Sequence, residues 1–167
     1  IIGKNRGTIT TNDGFIIEAN QFEFDKIENT LKAKGNIKIK DKINNYNFSA
    51  QNILYKKNEE KIEIEGKAEA LIRTGYKLES ENIIFLRNEM IIISDVGATI
   101  IDKVTQTQYE IGKFSYSLKE EILKGEKIFI NTKYKEPFSD KYFFKSAVFN
   151  LKTQNYIAQD ISIDFKK

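Results

Sequence analysis

The 167-residue sequence contains no histidine, no cysteine and no tryptophan, and it has a single proline. Without histidine or cysteine the chain cannot form a Ser-His-Asp triad, a thiol nucleophile, a zinc site with His or Cys ligands, or a disulfide framework. Cysteine usage therefore gives no indication of the redox compartment. We expect no metal site and no cofactor.

The sequence also lacks a run of about 18 apolar residues, which a membrane-spanning helix would need. It begins without Met and without the basic and apolar regions of a signal peptide, as a mature protein or an excised domain would. Its 27 basic and 24 acidic residues give a net charge of +3. Such a small and evenly mixed charge argues against binding to nucleic acid.

The acidic residues are spread evenly along the chain and single out no pair of carboxylates that could act together, as a glycosidase requires. A carbohydrate-active enzyme is therefore the least favoured interpretation. We predict that the protein is not an enzyme and has no catalytic residues. The outward Lys and Glu side chains of stretches such as 60–69 are better explained as cross-strand pairs on a solvated face.

What the sequence does contain is β-strand periodicity. Apolar residues occupy every second position in many short stretches, such as Phe22 and Phe24 or Ile62 and Ile64. This is the period of a half-buried strand, and β-branched and aromatic residues fill the alternating positions. With 40% apolar residues the chain can bury a core. We predict one all-β domain over residues 1–167.

The strands belong to a repeat of 30 to 33 residues, which occurs about five times. Each copy can be aligned on one aromatic residue, its anchor. Two positions after the anchor the side chain is large and apolar, and four positions after it the side chain is small in four of the five copies. Large residues follow at seven and nine positions. The five anchors are Phe15, Tyr46, Tyr76, Tyr109 and Tyr142. Recurrence at a fixed period predicts stacked copies of one supersecondary unit.

Each unit contains a corner and a turn. In the first copy the inward positions change parity near Asn20 and Gln21, which predicts a bulge where the chain crosses between two facing sheets. Polar turns are expected at 25–29, 56–61, 87–89, 119–121 and 152–155. Stacking then predicts an elongated two-sheet β-jellyroll with mostly antiparallel strands. In the first unit we expect residues 15, 17, 22 and 24 on one wall and residues 31, 37 and 39 on the other.

Periodicity allows two interpretations of the apolar interior. The sheets can close into a dry core, which composition favours, or they can splay apart into a cleft that admits acyl chains. The end strands, expected near Thr8 to Thr11 and Asp160 to Phe165, carry no proline. Open edges of this kind can pair with a strand of another molecule.

The repeat resembles a known family in its residues as well as its period. Residues 17–39 read I-x-A-x-x-F-x-F-D, then N-x-L-x-A-x-G-N-I-x-I, and residues 48–70 contain F-S-A-Q-N-I-L-Y and I-E-I-E-G-K-A-E-A. These segments resemble repeats of the OstA-like family of lipopolysaccharide-transport proteins, whose members are LptA, the LptC ectodomain and the N-terminal domain of LptD. The resemblance extends over about residues 8 to 165.

The resemblance implies an open β-jellyroll, or β-taco, that shields the lipid A acyl chains of lipopolysaccharide in the periplasm during outer membrane assembly. It implies docking to other Lpt β-jellyroll proteins through edge strands, and it favours the cleft. The predicted lipid-groove residues are large and mostly apolar side chains at the inward repeat positions: Phe15, Ile17, Phe22, Phe24, Ile37, Ile39, Phe48, Ile53, Tyr55, Ile64, Leu78, Ile83, Phe85, Ile92, Ile111 and Leu118.

Among the family members, the irregular fourth and fifth units and the insertion at 131–140 favour the periplasmic domain of LptD, an outer-membrane protein, over LptA or LptC. If the chain is LptD, its partners would include its own C-terminal barrel and a plug lipoprotein. LptD proteins of some bacteria carry cysteines in this domain, and this sequence has none. The alternative function is a structural or adhesive β-repeat module with a dry core.

Overall fold

The computed structural model describes residues 2–3, 5–11, 14–42, 46–73 and 75–165. Within these ranges the fold is all-β, as predicted, with a single 3-10 turn at Lys57–Glu59. No helix in the described ranges has the length and apolar content needed to cross a membrane. The strands are β1 Ile2–Gly3, β2 Gly7–Thr10, β3 Phe15–Ala19, β4 Gln21–Asp25, β5 Thr30–Asp41, β6 Tyr46–Lys56, β7 Lys61–Arg73, β8 Tyr76–Leu86, β9 Ile91–Ser94, β10 Ala98–Asp102, β11 Thr107–Ser117, β12 Ile122–Asn131, β13 Lys141–Asn150 and β14 Asn155–Asp164.

The strands form an antiparallel meander in which sequence neighbours are also hydrogen-bonded neighbours. The order β1-β4-β5-β6-β7-β8-β10-β11-β12-β13-β14 runs from one end to the other. Two pairs of short strands share partners: near the N-terminal end β3 and β4 both pair with β5, and in the middle β9 and β10 both lie between β8 and β11. Each long strand therefore contributes one half to each of two layers.

Corners separate the two halves, and they lie where the parity change predicts. In the first unit β3 ends at Ala19 and β4 begins at Gln21, and the β5–β6 register shifts between Lys34 and Ile37. Residues with positive φ recur at these corners, since a left-handed residue lets a strand bend sharply. They are Gly35, Asn36, Gly66, Asn82, Gly97, Lys127 and Asp160.

The two layers face each other across the apolar interior. The rings of Phe15 in β3 and Phe85 in β8 have centroids 6.3 Å apart. Because β5, β6 and β7 separate these strands, the rings would lie about 19 Å apart in a single flat sheet. The layers are staggered, so that the first unit of one layer packs on the third unit of the other.

One expectation about the first unit is wrong. Phe24 pairs with Leu31 in one layer, and Ile17 pairs with Ile39 in the other. The walls are therefore divided at the corner and not at the turn, because both arms of the hairpin bend together. Residues 22, 24 and 31 share one wall, and residues 15, 17 and 39 share the other.

Tight turns close each unit on the far side from the corners, near the predicted positions. The last residue of each turn has positive φ: Asn29, Glu60, Met90, Glu121 and Gln154. The carbonyl oxygens of the first four of these residues each accept a hydrogen bond from the next turn, donated by the N–H of Lys57, Arg87, Leu118 and Leu151 at 2.8 to 3.2 Å. This row of hydrogen bonds stacks the turns along one edge of the slab.

Candidate functional site

Two continuous ladders of inward side chains line the interior, one from each layer. The first ladder consists of Phe24, Leu31, Tyr55, Ile62, Phe85, Ile92, Tyr116, Leu123, Phe149 and Tyr156. The second ladder consists of Ile9, Ile17, Ile39, Phe48, Ala70, Leu78, Ile100, Tyr109, Ile130, Tyr142 and Ile163. Register, which the sequence alone does not give, is what joins the copies into these ladders.

Burial along the ladders is greatest in the middle of the slab and falls toward the C-terminal end. Leu78 and Ile92 are fully buried, whereas Tyr109 is half-buried. At the last strand Ile163 is 46% exposed and Tyr156 is 59% exposed. The apolar interior therefore opens toward its C-terminal end, because no further unit covers the last ladder positions.

A cavity of about 460 Å³ lies between the ladders in this C-terminal part. This volume is within the usual range of small-molecule sites. The second ladder contributes Ile100, Tyr109 and Ile130 to its walls, and the rest of the lining comes from the first ladder, from strand ends and from turns. Those residues are Tyr76, Asp102, Val104, Thr105, Thr107, Leu123, Phe149, Asn150, Leu151, Gln154, Asn155 and Tyr156. Apolar and aromatic side chains face each other here without filling the space between them.

The rings of Tyr109 and Phe149, which both line the cavity, pack edge to face with centroids 6.3 Å apart. Burial, with smaller contributions from the nearby Tyr76 and Asp102, raises the pKa of Tyr109 to about 12. The Tyr109 side chain is therefore neutral at physiological pH. An uncharged aromatic wall of this kind is compatible with a hydrocarbon ligand.

The rim of the cavity is polar, and its groups are used in local turns. The Asp102 carboxylate is buried and accepts hydrogen bonds from the backbone N–H of Val104 at 2.8 Å and of Thr105 at 3.2 Å, and from the Thr105 hydroxyl at 2.8 Å. Burial by itself would raise the pKa of Asp102, but these hydrogen bonds outweigh it and lower the pKa. The rim thus holds its shape through fixed turns.

The sixteen predicted groove residues all point into the interior, but most of them are closely packed. Fourteen are buried, and only Phe22 and Phe24, which belong to the end unit, are half-buried. The Phe48 and Phe85 rings stack at 5.5 Å. In the middle of the slab the interior is thus a packed core, and lipid contact at these positions stays a prediction.

None of the sixteen residues lines the C-terminal cavity. Tyr109 and Phe149 do occupy repeat positions, but the periodicity of the sequence does not distinguish one copy of the repeat from another. The signal that distinguishes them is their place in the series, because copies at the end of a stack lack a neighbour on one side.

The C-terminal strand β14 is the second notable surface. Among the strands in the described ranges it pairs with β13 alone, through residues 141–150 and 155–164. Its inward side chains include Ile163, which ends the second ladder, and Ile161, which pairs with Phe144. Both are about half exposed, and Phe165 beyond the strand is 64% exposed. An open strand edge beside exposed apolar side chains has unpaired N–H and C=O groups that can pair with an added strand.

No group of three or more acidic, His or Cys side chains that could hold a metal ion occurs in the part of the chain that the structure describes. The ion pairs lie mostly on the outer face, such as Lys77 with Glu69 at 3.1 Å and with Glu79 at 2.5 Å. These hydrogen bonds raise the pKa of Lys77 and lower the pKa of Glu69. Outer pairs of this type are solvated and contribute little to binding.

Comparison with known proteins shows similarity at the level of structure. No family model and no curated protein matches the chain. Among solved structures, the fold is similar to that of LptH, the LptA-homologous periplasmic component of the lipopolysaccharide transport device of Pseudomonas aeruginosa, with a TM-score of 0.57. The match covers 70% of this chain and 86% of that chain at 15% identity. The similarity confirms the predicted β-jellyroll fold.

Proposed function

We propose that this protein is a conduit for lipopolysaccharide in the periplasm and that its C-terminal cavity holds acyl chains of lipid A. The cavity between the two ladders is the observation on which this proposal depends, since its walls are apolar and it opens toward the exposed end of the interior. The fold shared with a lipopolysaccharide-transport component supports the same assignment.

The energetics suit transport better than storage. Each methylene group removed from water contributes about 0.8 kcal/mol, so an acyl chain gains strongly on entering the cavity from solution. A chain that comes from a membrane or another jellyroll was already shielded from water, so its transfer changes the free energy little. Passage from one apolar interior to the next can therefore be reversible.

We further propose that β14 docks end to end with a strand of another β-jellyroll of the transport system. We infer a β-jellyroll as the partner because Tyr156, Ile161 and Ile163 continue the inner faces of both layers. A docked strand of such a partner would extend these inner faces across the junction. Main-chain hydrogen bonds would supply the affinity, and alternate side chains the specificity. Docking would then join two interiors into one continuous apolar path.

We keep the N-terminal periplasmic domain of LptD as the proposed family member, because of the irregular fourth and fifth units and the insertion at 131–140. The gene sequence beyond residue 167 tests this choice. A following run of barrel-sized alternating strands is expected, and a stop codon close to residue 167 would favour LptA instead.

Binding is tested by native mass spectrometry of the purified protein with lipid A. Tyr109→Glu places a charge on the cavity wall, and burying a charge against hydrocarbon is strongly unfavourable. We expect this variant to lose most of the bound lipid. Ser115→Glu, on the outer face of the same strand β11, serves as the matched control and should bind normally. Equal binding by both variants would contradict the proposed site.

A further inference from the structure

Two neighbouring turns of the layer that carries the second ladder, 102–106 and 132–140, expose apolar side chains. Val104 is 80% exposed and Phe138 is 67% exposed. Turns usually carry Gly, Pro, Asn, Asp or Ser. A single exposed apolar residue is ordinary on a protein surface, so the surroundings of these two side chains decide whether they form a binding surface.

The two turns are fixed by hydrogen bonds, so they hold these side chains in an ordered position. The Val104 N–H donates to the Asp102 carboxylate at 2.8 Å. The Tyr134 N–H donates to the carbonyl oxygen of Gln106 at 3.0 Å, which joins one turn to the other. Binding through ordered turns loses less conformational entropy than binding through a disordered loop.

The charged side chains exposed around the two turns are mostly basic. The turn 151–154 of the other layer borders the same cavity as Val104 and belongs to these surroundings. In the three turns the exposed charged residues are four lysines and one glutamate: Lys103, Lys133, Lys135, Lys152 and Glu136. Asp102 is buried, Asp140 is half-buried, and Glu136 lies 4.0 Å from Lys133. The exposed charge therefore favours an anionic partner.

The first turn of the other layer shows the same arrangement in different surroundings. Residues 25–27 repeat the Asp-Lys-apolar sequence of residues 102–104. The Ile27 N–H donates to Asp25 at 2.8 Å, as in the later turn, and Ile27 is 92% exposed. Its exposed charged neighbours in the turn are one lysine and two acids, Asp25 and Glu28. This turn is therefore a matched comparison that lacks the basic surroundings.

We propose that the turns 102–106 and 132–140, here called the tip surface, bind the face of an anionic lipid bilayer. Val104 and Phe138 enter the boundary between the headgroups and the acyl chains, and the surrounding lysines contact the anionic headgroups. A bilayer is the partner because it offers apolar and anionic groups together. This binding goes beyond the proposed function, since it needs no lipopolysaccharide. Because Val104 also lines the cavity, the bound bilayer lies beside the cavity wall.

Co-sedimentation with vesicles tests the partner. The whole purified chain is mixed with vesicles of equal parts phosphatidylglycerol and phosphatidylcholine, or with vesicles of phosphatidylcholine alone. We expect binding to the anionic vesicles that is at least about tenfold tighter than binding to the neutral ones and that weakens as salt is added. Equal binding to both vesicles, or binding to neither, would overturn the proposal.

Two double variants separate the apolar and the charged contribution. Val104→Asn with Phe138→Asn removes both apolar side chains, and Lys103→Glu with Lys135→Glu reverses two charges. All four side chains are exposed, so both variants should fold normally, which urea unfolding checks. We expect each double variant to bind the anionic vesicles at least about tenfold more weakly. Loss in the Glu variant alone would indicate an acidic macromolecule as the partner, and unchanged binding by either variant would overturn the proposal.

The matched turn supplies the controls. Ile27→Asn removes an exposed apolar side chain from the acidic surroundings, and Lys26→Glu with Lys57→Glu reverses two exposed charges in the turns of the other layer. Both controls should bind the anionic vesicles as the unchanged protein does. An equal loss in the controls would show a general effect of polarity or charge and would overturn the proposal.

A fluorescent label tests whether the tip surface enters the bilayer. Because the sequence has no cysteine, Phe138→Cys and Ile27→Cys each give one site for the dye NBD, whose emission rises when it leaves water for lipid. With anionic vesicles we expect a several-fold rise at position 138 and none at position 27. No rise at position 138, or an equal rise at both positions, would contradict insertion of the tip surface.

Discussion

Glycine at the corners has a specific steric role at residue 97. Gly97 has a φ of 95°, and a Cβ atom there would lie 2.4 Å from the Ile111 carbonyl oxygen. Gly66, at the equivalent corner one unit earlier, has a similar φ of 76° but no atom within 4 Å of such a Cβ. The two glycines share one backbone conformation and differ in the space around them.

We predict that Gly97→Ala destabilises the protein more than Gly66→Ala. A left-handed backbone costs a non-glycine residue about 1–2 kcal/mol, so Gly66→Ala should lose about that amount. Gly97→Ala must also displace the backbone of β11, which should add at least about 1 kcal/mol. Urea unfolding of both variants measures the difference, and equal losses would show that the close approach at Gly97 carries no cost.

The Asp102 carboxylate predicts a specific acid sensitivity. Its pKa is lowered in the folded protein, so its contribution to stability is present above the unfolded value of about 3.9 and is lost as the pH falls through the folded value. Hydrogen bonds to a charged group contribute about 1.5–3 kcal/mol. The Asp102→Asn variant should therefore be less stable than the unchanged protein at pH 7. Between about pH 5 and about pH 2, which spans the ordinary carboxyl range, the variant should lose less stability than the unchanged protein does.

Thermal melting over this pH series measures the effect. Glu120→Gln, which changes an exposed acid in a turn, is the control and should follow the unchanged protein at every pH. If the melting temperature of Asp102→Asn changed with pH in the same way as that of the unchanged protein, the turn at the cavity rim would not depend on the charge of Asp102.

At the scale of elements, the terminal strands are unequal. The N-terminal edge is divided between β1, with two residues, and β2, with four, whereas β14 presents ten consecutive residues. A long, continuous edge with exposed apolar side chains favours pairing, and a short or broken edge opposes it. We therefore expect β14 to supply the continuous edge in end-to-end docking.

We predict that the isolated protein self-associates through β14 and that Ile161→Lys weakens this association at least about tenfold, a change of about 1.4 kcal/mol. Ile161 is 53% exposed, so folding stability should change by no more than about 0.5 kcal/mol. Sedimentation velocity over a concentration series measures the association. Gln159→Lys, on the outer face of β14, adds the same charge and should associate more strongly than Ile161→Lys. Equal weakening by both would indicate a general charge effect.

The elements that sequence could predict are those fixed by local pattern. The strand periodicity, the parity change at Asn20 and Gln21, and the polar turns are all confirmed, since each follows from residues close together in the chain. The division of the walls was predicted wrongly, because pairing of Phe24 with Leu31 depends on how both arms of the hairpin bend. A cleft was one of the two predicted interiors, but the position of the C-terminal cavity was not predicted, because it depends on the stagger between the layers.

At the scale of the whole molecule, one repeat gives two different interiors. Where units are stacked on both sides, the ladders close into a packed core. Toward the C-terminal end the same ladders separate around the cavity and finish on an open strand. Repetition thus provides a packed apolar wall, and the end of the repetition provides the cavity and the open edge strand that we propose for lipid binding and docking.

The central claim is that lipopolysaccharide acyl chains occupy the C-terminal cavity. Strand β13 offers a matched pair to test it, because Phe149 faces the cavity and Phe143, which is 45% exposed, faces outward. Each is replaced by p-azidophenylalanine, and cells that make lipopolysaccharide are irradiated. We predict a lipopolysaccharide adduct at position 149 and none at position 143. No adduct at either position, or equal adducts at both, would contradict the claim.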